Sequence, residues 1–363
     1  MNDRFCWLHF TDLHVGMGGE DHLWSSVEQE VLADLGRVHQ HLRRVDAIFF
    51  TGDLTQRGDS NEFRKFNTIL EVITKKLSSL GSSPVFIAIP GNHDLIRPTG
   101  GAVLDGLKSW TDNPDLQRRF WTEPASDYRK AVAKAFNNWS SWSQSATMWE
   151  SLADVNPKGE LPGDFAATWE HDGIRVGLLG LNTAALQLAD GDYRGRLSVH
   201  PKQVTKLVGR LYEWVEGHDA CFLLTHHDRT WLDIEGLKAW NGDIAKPGHF
   251  VVHLCGHRHE QKSSVLSEGG AMPRRTIIGR SLFGLATFND NGQKSDRLHG
   301  YSAGCIEFKR SREMRRWPRR DELQQGGHRQ IRADQSEELA EDQGTPSSDL
   351  GPSPRQGTRA SLP

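Results

Sequence analysis

The stretch LCGHRH at residues 254–259 sets Gly256 after an apolar, β-branched run and then presents His257 and His259 with one residue between them. Two imidazoles so spaced are ligands for a borderline metal ion, but the chain carries 17 histidines, and a two-ligand motif alone is weak evidence. The partners must come from elsewhere in the sequence. FTDLHVG supplies Asp12 and His14, FFTGDLTQRG supplies Asp53, AIPGNHDL supplies Asn92, His93 and Asp94, and CFLLT runs into His226 and His227. Gly52, Gly91 and Gly256 stand where the backbone must turn sharply and approach a ligand closely. Carboxylate, carboxamide and imidazole without thiolate suit Mn²⁺, Fe or Zn²⁺ better than Ca²⁺, which takes all-oxygen cages, or structural zinc, which takes Cys.

Each block follows an apolar, β-branched or aromatic run. Strands are expected at 4–10, 46–50, 84–89, 173–181, 220–225, 249–255, 274–279 and 302–308, with helices at 21–44, 61–79 and 201–216. The last of these opens on a proline and carries an apolar stripe through Val204, Leu207, Val208, Leu211 and Val215, as a helix packed on a sheet does. The opening βαβαβ order predicts a mostly parallel sheet. In such sheets the ligand crevice lies outside the carboxyl ends of the strands, so loops far apart in sequence converge there. His9 and His253 fall inside predicted strands and read as structural.

As a set, Asp12-x-His14, Gly52-Asp53, Gly91-Asn92-His93-Asp94, His226-His227 and Gly256-His257-x-His259 resemble, in order and spacing, the five-block signature of calcineurin-like metallophosphoesterases. The resemblance implies an α/β fold, a four-layer α/β/β/α sandwich, over about residues 4–308. It also implies a dinuclear centre in which Asp12, His14 and His259 hold one divalent metal ion and Asn92, His226 and His257 the other, with Asp53 bridging. Two ions roughly 3.5–4 Å apart lower the pKa of a bridging water and bind phosphoryl oxygens. The implied reaction is phosphoester hydrolysis by a metal-bridging hydroxide, with His93, outside the ligand set, assisting the leaving group. Asp94 either orients His93 or holds its own turn, and Arg57 is a candidate phosphate clamp, since guanidinium pairs with phosphate in two parallel hydrogen bonds. His227 serves the substrate or the surroundings of the metal.

Residues 98–164 break the α/β rhythm and hold Trp110, Trp121, Trp139, Trp142 and Trp149. They read as a helical insertion with its own small core, expected as a cap over the site. From Lys309 a basic block, KRSREMRRWPRR, leads into a polar tail to residue 363, whose composition predicts disorder. The domain is thus expected over 1–308, the insertion within it, and the tail beyond. With 25% charged residues and a net charge of -3, the chain as a whole is not electrostatically matched to nucleic acid or an anionic membrane. No run approaches the roughly 20 apolar residues of a membrane helix. A soluble, cytoplasmic protein is expected, with Cys6, Cys221, Cys255 and Cys305 as reduced core thiols. GNHD with TGDLTQRGDSNEF resembles the phosphodiesterase side of the family, with a nucleotide or another phosphodiester as substrate. A nuclease with the same metal signature is the alternative. A non-catalytic binding module ranks behind both, because no ligand position is missing.

Overall fold

Burial is continuous from Phe5 to Phe10 along RFCWLHF, so β1 (Arg4–Phe10) is a strand buried on both faces, as a sheet covered on both sides requires. A computed structural model describes residues 3–17, 21–259, 262–267, 272–283, 299–309, 311–324 and 328–355. β1 pairs in parallel with β2 (Ala47–Thr51), and β2 with β3 (Val85–Ile89). The crossovers are α1 (Asp21–Leu42) and α2 (Ser60–Ser79). Asp59 starts α2 by a capping box in which Glu62 returns the bond to the cap backbone, which satisfies two otherwise orphaned N–H groups.

The insertion follows as α3 (Ala102–Lys108), α4 (Pro114–Thr122), α5 (Asp127–Ala135) and α6 (Asn137–Ser145). A second sheet is built from β4 (Ala153–Asn156), β5 (Phe165–His171), β6 (Ile174–Gly180), β7 (Ala220–Leu224), β8 (Val252–Cys255), β9 (Lys262–Leu266) and β10 (Arg274–Ile278), in the order β4-β5-β6-β7-β8-β10-β9. Helices α7 (Pro201–Val208), α8 (Leu211–Glu216) and α9 (Ile234–Ala239) lie along its connections. The single helix expected over 201–216 is two, because Gly209 adopts φ 66° and ends α7, a backbone conformation that suits glycine.

The first sheet is completed by β11 (Gly300–Phe308), antiparallel to β1, then β12 (Arg312–Leu323) and β13 (Arg329–Ala333), with β14 (Ser348–Asp349) beside β12. The facing sides of the sheets share a core of Phe5, Trp7, Phe49, Ile87, Phe222 and Leu254. There Phe5 meets Trp169 at 4.8 Å and Trp7 meets Phe222 at 5.0 Å between ring centroids, edge to face as ring quadrupoles favour. The outer face of the first sheet, through Leu8, Phe10, Ile48 and Phe50, packs on Val31, Leu35, Phe63 and Phe66 of α1 and α2. The architecture is α/β with two mixed sheets.

Two expectations are corrected. The tail is not disordered where it is described: β12, β13 and β14 are strands, and only residues 310, 325–327 and 356–363 of it lie outside the described set. Composition misread it because its arginines find buried partners. Arg319 is bonded to Asp34 through Nε at 2.7 Å and Nη2 at 2.5 Å. Arg316 pairs with Glu337 at 2.6 Å, and Arg312 donates to the carbonyls of Leu350 and Asp219. The Trp-rich insertion, in turn, does not have a core of its own. Trp110, Trp121, Trp139 and Trp142 belong to the same core as α1 and α2, with the Trp142 ring 5.0 Å from Phe63 and its N–H donated to Asn67 at 2.8 Å.

Candidate metal centre

The loops after β1 and β2 are zipped together by their backbones: Asp12 N–H donates to Gly52 O at 3.0 Å, and the N–H groups of Leu13 and His14 both donate to Asp53 O at 2.9 Å. This locks the first two ligand blocks before any side chain is considered. Asp12, His14, Asp53, His257 and His259 all lie in the left-handed region, at φ 52°, 51°, 53°, 70° and 57°. Such residues cost about 1–2 kcal/mol each, and strain of this kind gathers where geometry serves function. Two glycines leave the space that the cluster needs. A Cβ on Gly52 would lie 2.4 Å from His226 Nδ1, and one on Gly91 would lie 2.2 Å from Asp53 Oδ1.

The side chains converge in two halves. In one, His259 Nε2 lies 3.3 Å from both Asp12 Oδ1 and His14 Nε2. In the other, His226 Nε2 lies 3.1 Å from Asn92 Oδ1 and 3.2 Å from His257 Nδ1. Asp53 Oδ2 sits between them, 3.2 Å from His226 Nε2 and 3.8 Å from His14 Nε2. Asp12, Asp53 and His226 are fully buried or nearly so. All seven residues expected as ligands, Asp12, His14, Asp53, Asn92, His226, His257 and His259, are thus brought together across loops from both sheets.

Hydrogen bonding alone leaves this cluster unsatisfied. His226 Nδ1 meets the Thr51 carbonyl at 2.7 Å; a carbonyl only accepts, so Nδ1 carries the proton and the Nε2 lone pair faces Asp53, Asn92 and His257. Without a cation the ring needs a second proton. Burial opposes that charge, but the adjacent Asp53 carboxylate overcomes it and holds the His226 pKa up to about 9. Burial pulls His14 down to about 4 and His257 down to about 3, so both are neutral lone-pair donors. For Asp53 burial acts upward, yet His226 and His93 hold it well below the usual carboxylate range. Asp12 Oδ1 is buried, with His259 Nε2 at 3.3 Å but no well-aligned hydrogen bond. Acceptors aimed at one another around a buried centre fit a divalent ion.

His93 stands at the edge of this cluster. Its backbone N–H donates to Asp53 Oδ1 at 2.8 Å, its ring Nδ1 meets the Gln56 carbonyl at 3.0 Å, and its ring centroid lies 4.8 Å from that of His14. The carbonyl fixes the proton on Nδ1, which leaves the lone pair on Nε2. The two roles open for Asp94 resolve toward the turn: its Oδ1 accepts from Thr55 N–H and Oγ1, both at 2.9 Å, and its Oδ2 from Gly91 N–H at 2.9 Å. The residue that fixes the His93 ring is Gln56. Arg57 is exposed at the turn before α2, with its backbone N–H donated to Glu62 at 2.8 Å.

His227 places its ring 4.3 Å from His257 and meets Thr183 Oγ1 through Nδ1 at 3.1 Å, while its Nε2 has no partner. His9 and His253 are buried against Thr51 and Thr225, as structural histidines. Sequence reasoning missed Trp231, whose ring stands edge-on to His257 at 4.2 Å and lies under the Arg194 guanidinium at 5.3 Å. Its block, DRTWLD, holds no chemical cue, so only the fold reveals it.

The family model described as Calcineurin-like phosphoesterase matches residues 7–261. The chain belongs to that family. Among curated proteins, a cAMP/cGMP dual specificity phosphodiesterase of Mycobacterium tuberculosis is 35% identical over 89 residues, which are 24% of this chain and 26% of that relative. Among solved structures, a purple acid phosphatase from yellow lupin (Lupinus luteus) seeds has a TM-score of 0.45 at 11% identity, over 88% of this chain and 52% of that one. GAP50, the anchor in the inner membrane complex of Plasmodium, has a TM-score of 0.42 at 10% identity, over 87% and 85%. This calcineurin-like phosphoesterase has no helix among its described residues long and apolar enough to cross a membrane.

Proposed function

We propose that this calcineurin-like phosphoesterase is a metal-dependent phosphodiesterase with a dinuclear centre. The observation that carries the reading is the place of Asp53 Oδ2 between the His14–His259–Asp12 half and the His226–Asn92–His257 half. Asp12, His14 and His259 would hold one ion and Asn92, His226 and His257 the other, with Asp53 shared. Mn²⁺, Fe or Zn²⁺ fits this donor set. Bound there, two such ions supply a water activated near neutral pH and Lewis-acid contacts to the phosphoryl oxygens.

The chain's own residues do the rest. Thr51 O orients His226, and the Asp12 carboxylate is held by Thr11 Oγ1 at 2.6 Å and His257 N–H at 3.1 Å, so both donors are fixed before substrate arrives. Such preorganised surroundings are worth roughly 10–100-fold in metal affinity or activity. His93, with Nδ1–H on Gln56 O, would as the imidazolium give its Nε2 proton to the leaving oxygen, a role typically worth about 10²–10⁴-fold. Arg57, exposed before α2, and Arg194, over the Trp231 ring beside His257, would be the guanidinium groups that pair with the substrate phosphate.

Support for a diester, and within it a nucleotide, comes from the GNHD block and from the partial match to the cAMP/cGMP phosphodiesterase. The nuclease alternative loses its electrostatic argument, because Arg312, Arg315, Arg316 and Arg319 of the basic block are committed to carbonyls and carboxylates of the fold. The test is turnover of bis(p-nitrophenyl) phosphate, p-nitrophenyl phosphate, cyclic AMP, cyclic GMP and single-stranded DNA by Mn²⁺-loaded protein. Diester and cyclic-nucleotide kcat/KM above the monoester value supports the reading. Monoester preference, or DNA as the best substrate, overturns it.

A further inference from the structure

The first sheet brings together two cysteines that lie nearly the whole domain apart in sequence. Cys6 on β1 stands directly opposite Cys305 on β11 in the antiparallel register, and their Sγ atoms are 2.7 Å apart. The register also determines how near the two backbones come. Cys6 N–H donates to Asp46 Oδ2 at 2.9 Å, and Cys6 O accepts from Asp46 N–H at 2.7 Å, so both backbone polar groups of Cys6 face the β2 side. Cys6 and Cys305 therefore form a non-hydrogen-bonded pair of the ladder, the kind whose Cα atoms approach to about 4.5 Å. That separation falls inside the roughly 4.4–6.8 Å range that a disulfide spans.

Access is one-sided. Cys305 lines a cavity of about 620 Å³ together with Arg4, His41, Arg43, Arg315 and Trp317. Cys6 lies behind it, 1% exposed, with its Sγ toward the Leu42 carbonyl. Cys305, itself only 5% exposed, is thus the thiol nearer a small oxidant in that cavity, and Cys6 behind it is placed to resolve the product.

We propose that Cys6 and Cys305 form a redox-active dithiol, which hydrogen peroxide closes into an intramolecular cross-strand disulfide. The Cys305 sulfur attacks the peroxide: an S–O bond forms, the O–O bond breaks, and the departing hydroxide takes the thiol proton as water. Cys6 Sγ then attacks the sulfenyl sulfur of Cys305: the S–S bond forms, the S–O bond breaks, and hydroxide leaves with the Cys6 proton as a second water. Two thiols are oxidised and one peroxide is reduced. The new bond ties β1, which leads into Asp12 and His14, to β11, which leads into the C-terminal strands.

The experiment treats the purified full chain with hydrogen peroxide, quenches with catalase, and unfolds it in guanidinium with N-ethylmaleimide before intact-mass and non-reducing peptide analysis. The untreated chain, with four free cysteines, takes four adducts. The treated chain takes two, yields a peptide joining Cys6 to Cys305, and recovers all four adducts after dithiothreitol. In Cys6→Ser, Cys305 stops at the sulfenic acid and is captured by dimedone. Four adducts retained after prolonged peroxide, Cys305 driven to sulfinic acid with Cys6 free, or a linkage between two chains would each overturn the proposal. The wild-type measurement stands alone if the variant does not fold.

Discussion

The C-terminal strands are held by a buried ion pair whose removal has a calculable cost. Arg319 on β12 is 2% exposed and Asp34 on α1 is 0% exposed; the two share two hydrogen bonds, and Tyr301 O–H donates to the same Asp34 carboxylate at 2.8 Å. In Arg319→Met the stem is replaced and the guanidinium lost, leaving the carboxylate buried with Tyr301 and the half-exposed Arg37. Removing one partner of such a pair costs about 3–5 kcal/mol. At about 2.1 cal/mol/K of unfolding entropy per residue, a cooperative chain of 363 residues shifts by roughly 1.3 °C per kcal/mol, so a drop of roughly 4–7 °C is expected. Urea unfolding followed by circular dichroism supplies the free energy directly. The triple variant Asp34→Leu, Tyr301→Phe and Arg319→Met removes the stranded charge and the hydroxyl together, and recovers most of the loss, because a packed apolar replacement of a buried pair is often neutral. If Arg319→Met alone costs under about 1 kcal/mol, the strand is not the integral part of the sheet described here.

Three further predictions concern the metal centre. With its pKa held near 9 in the metal-free fold, His226 is protonated at pH 7.5 and must lose that proton to become a ligand. Calorimetric titration of metal-free protein with Mn²⁺ in two buffers of different ionisation heat should therefore report about one proton released, with affinity rising as pH climbs toward 9; zero release contradicts the geometry. His93→Asn should lower kcat by about 10²–10⁴-fold while leaving metal content unchanged by elemental analysis. Gly91→Ala, which drives a methyl to 2.2 Å from Asp53 Oδ1, should lose metal while a Gly81→Ala control, where no atom lies within 4 Å, should keep it.

The site was more legible in the sequence than the fold around it. Loops at strand ends carry their polar side chains within a few residues of an apolar run, so Asp12, Asp53, Asn92, His226, His257 and His259, which the fold brings together, stand out by type and position. Roles set by three-dimensional bonding did not: nothing in AIPGNHDL distinguishes Asp94 as a pin for the turn, and nothing in TQRG marks Gln56 as the carbonyl that orients His93. β5 was missed because FAATWEH is short and its terminal Glu170 and His171 are exposed. The tail failed for a deeper reason. Mean composition treats each arginine as a solvated charge, whereas Arg312, Arg316 and Arg319 are buried against acids and carbonyls contributed by distant segments. Long-range pairing of that kind leaves no local pattern to read.

The central claim is that seven converging side chains make one dinuclear, catalytically competent centre. The most direct measurement strips the protein of metal, refills it with Mn²⁺, and determines metal per chain and bis(p-nitrophenyl) phosphate hydrolysis on the same samples, beside Asp53→Asn. The account predicts two ions per chain, turnover that appears only on refilling, and loss of both tight metal binding and turnover in Asp53→Asn. Full turnover in the stripped protein, or an Asp53→Asn variant that binds and hydrolyses as the wild type does, would contradict it.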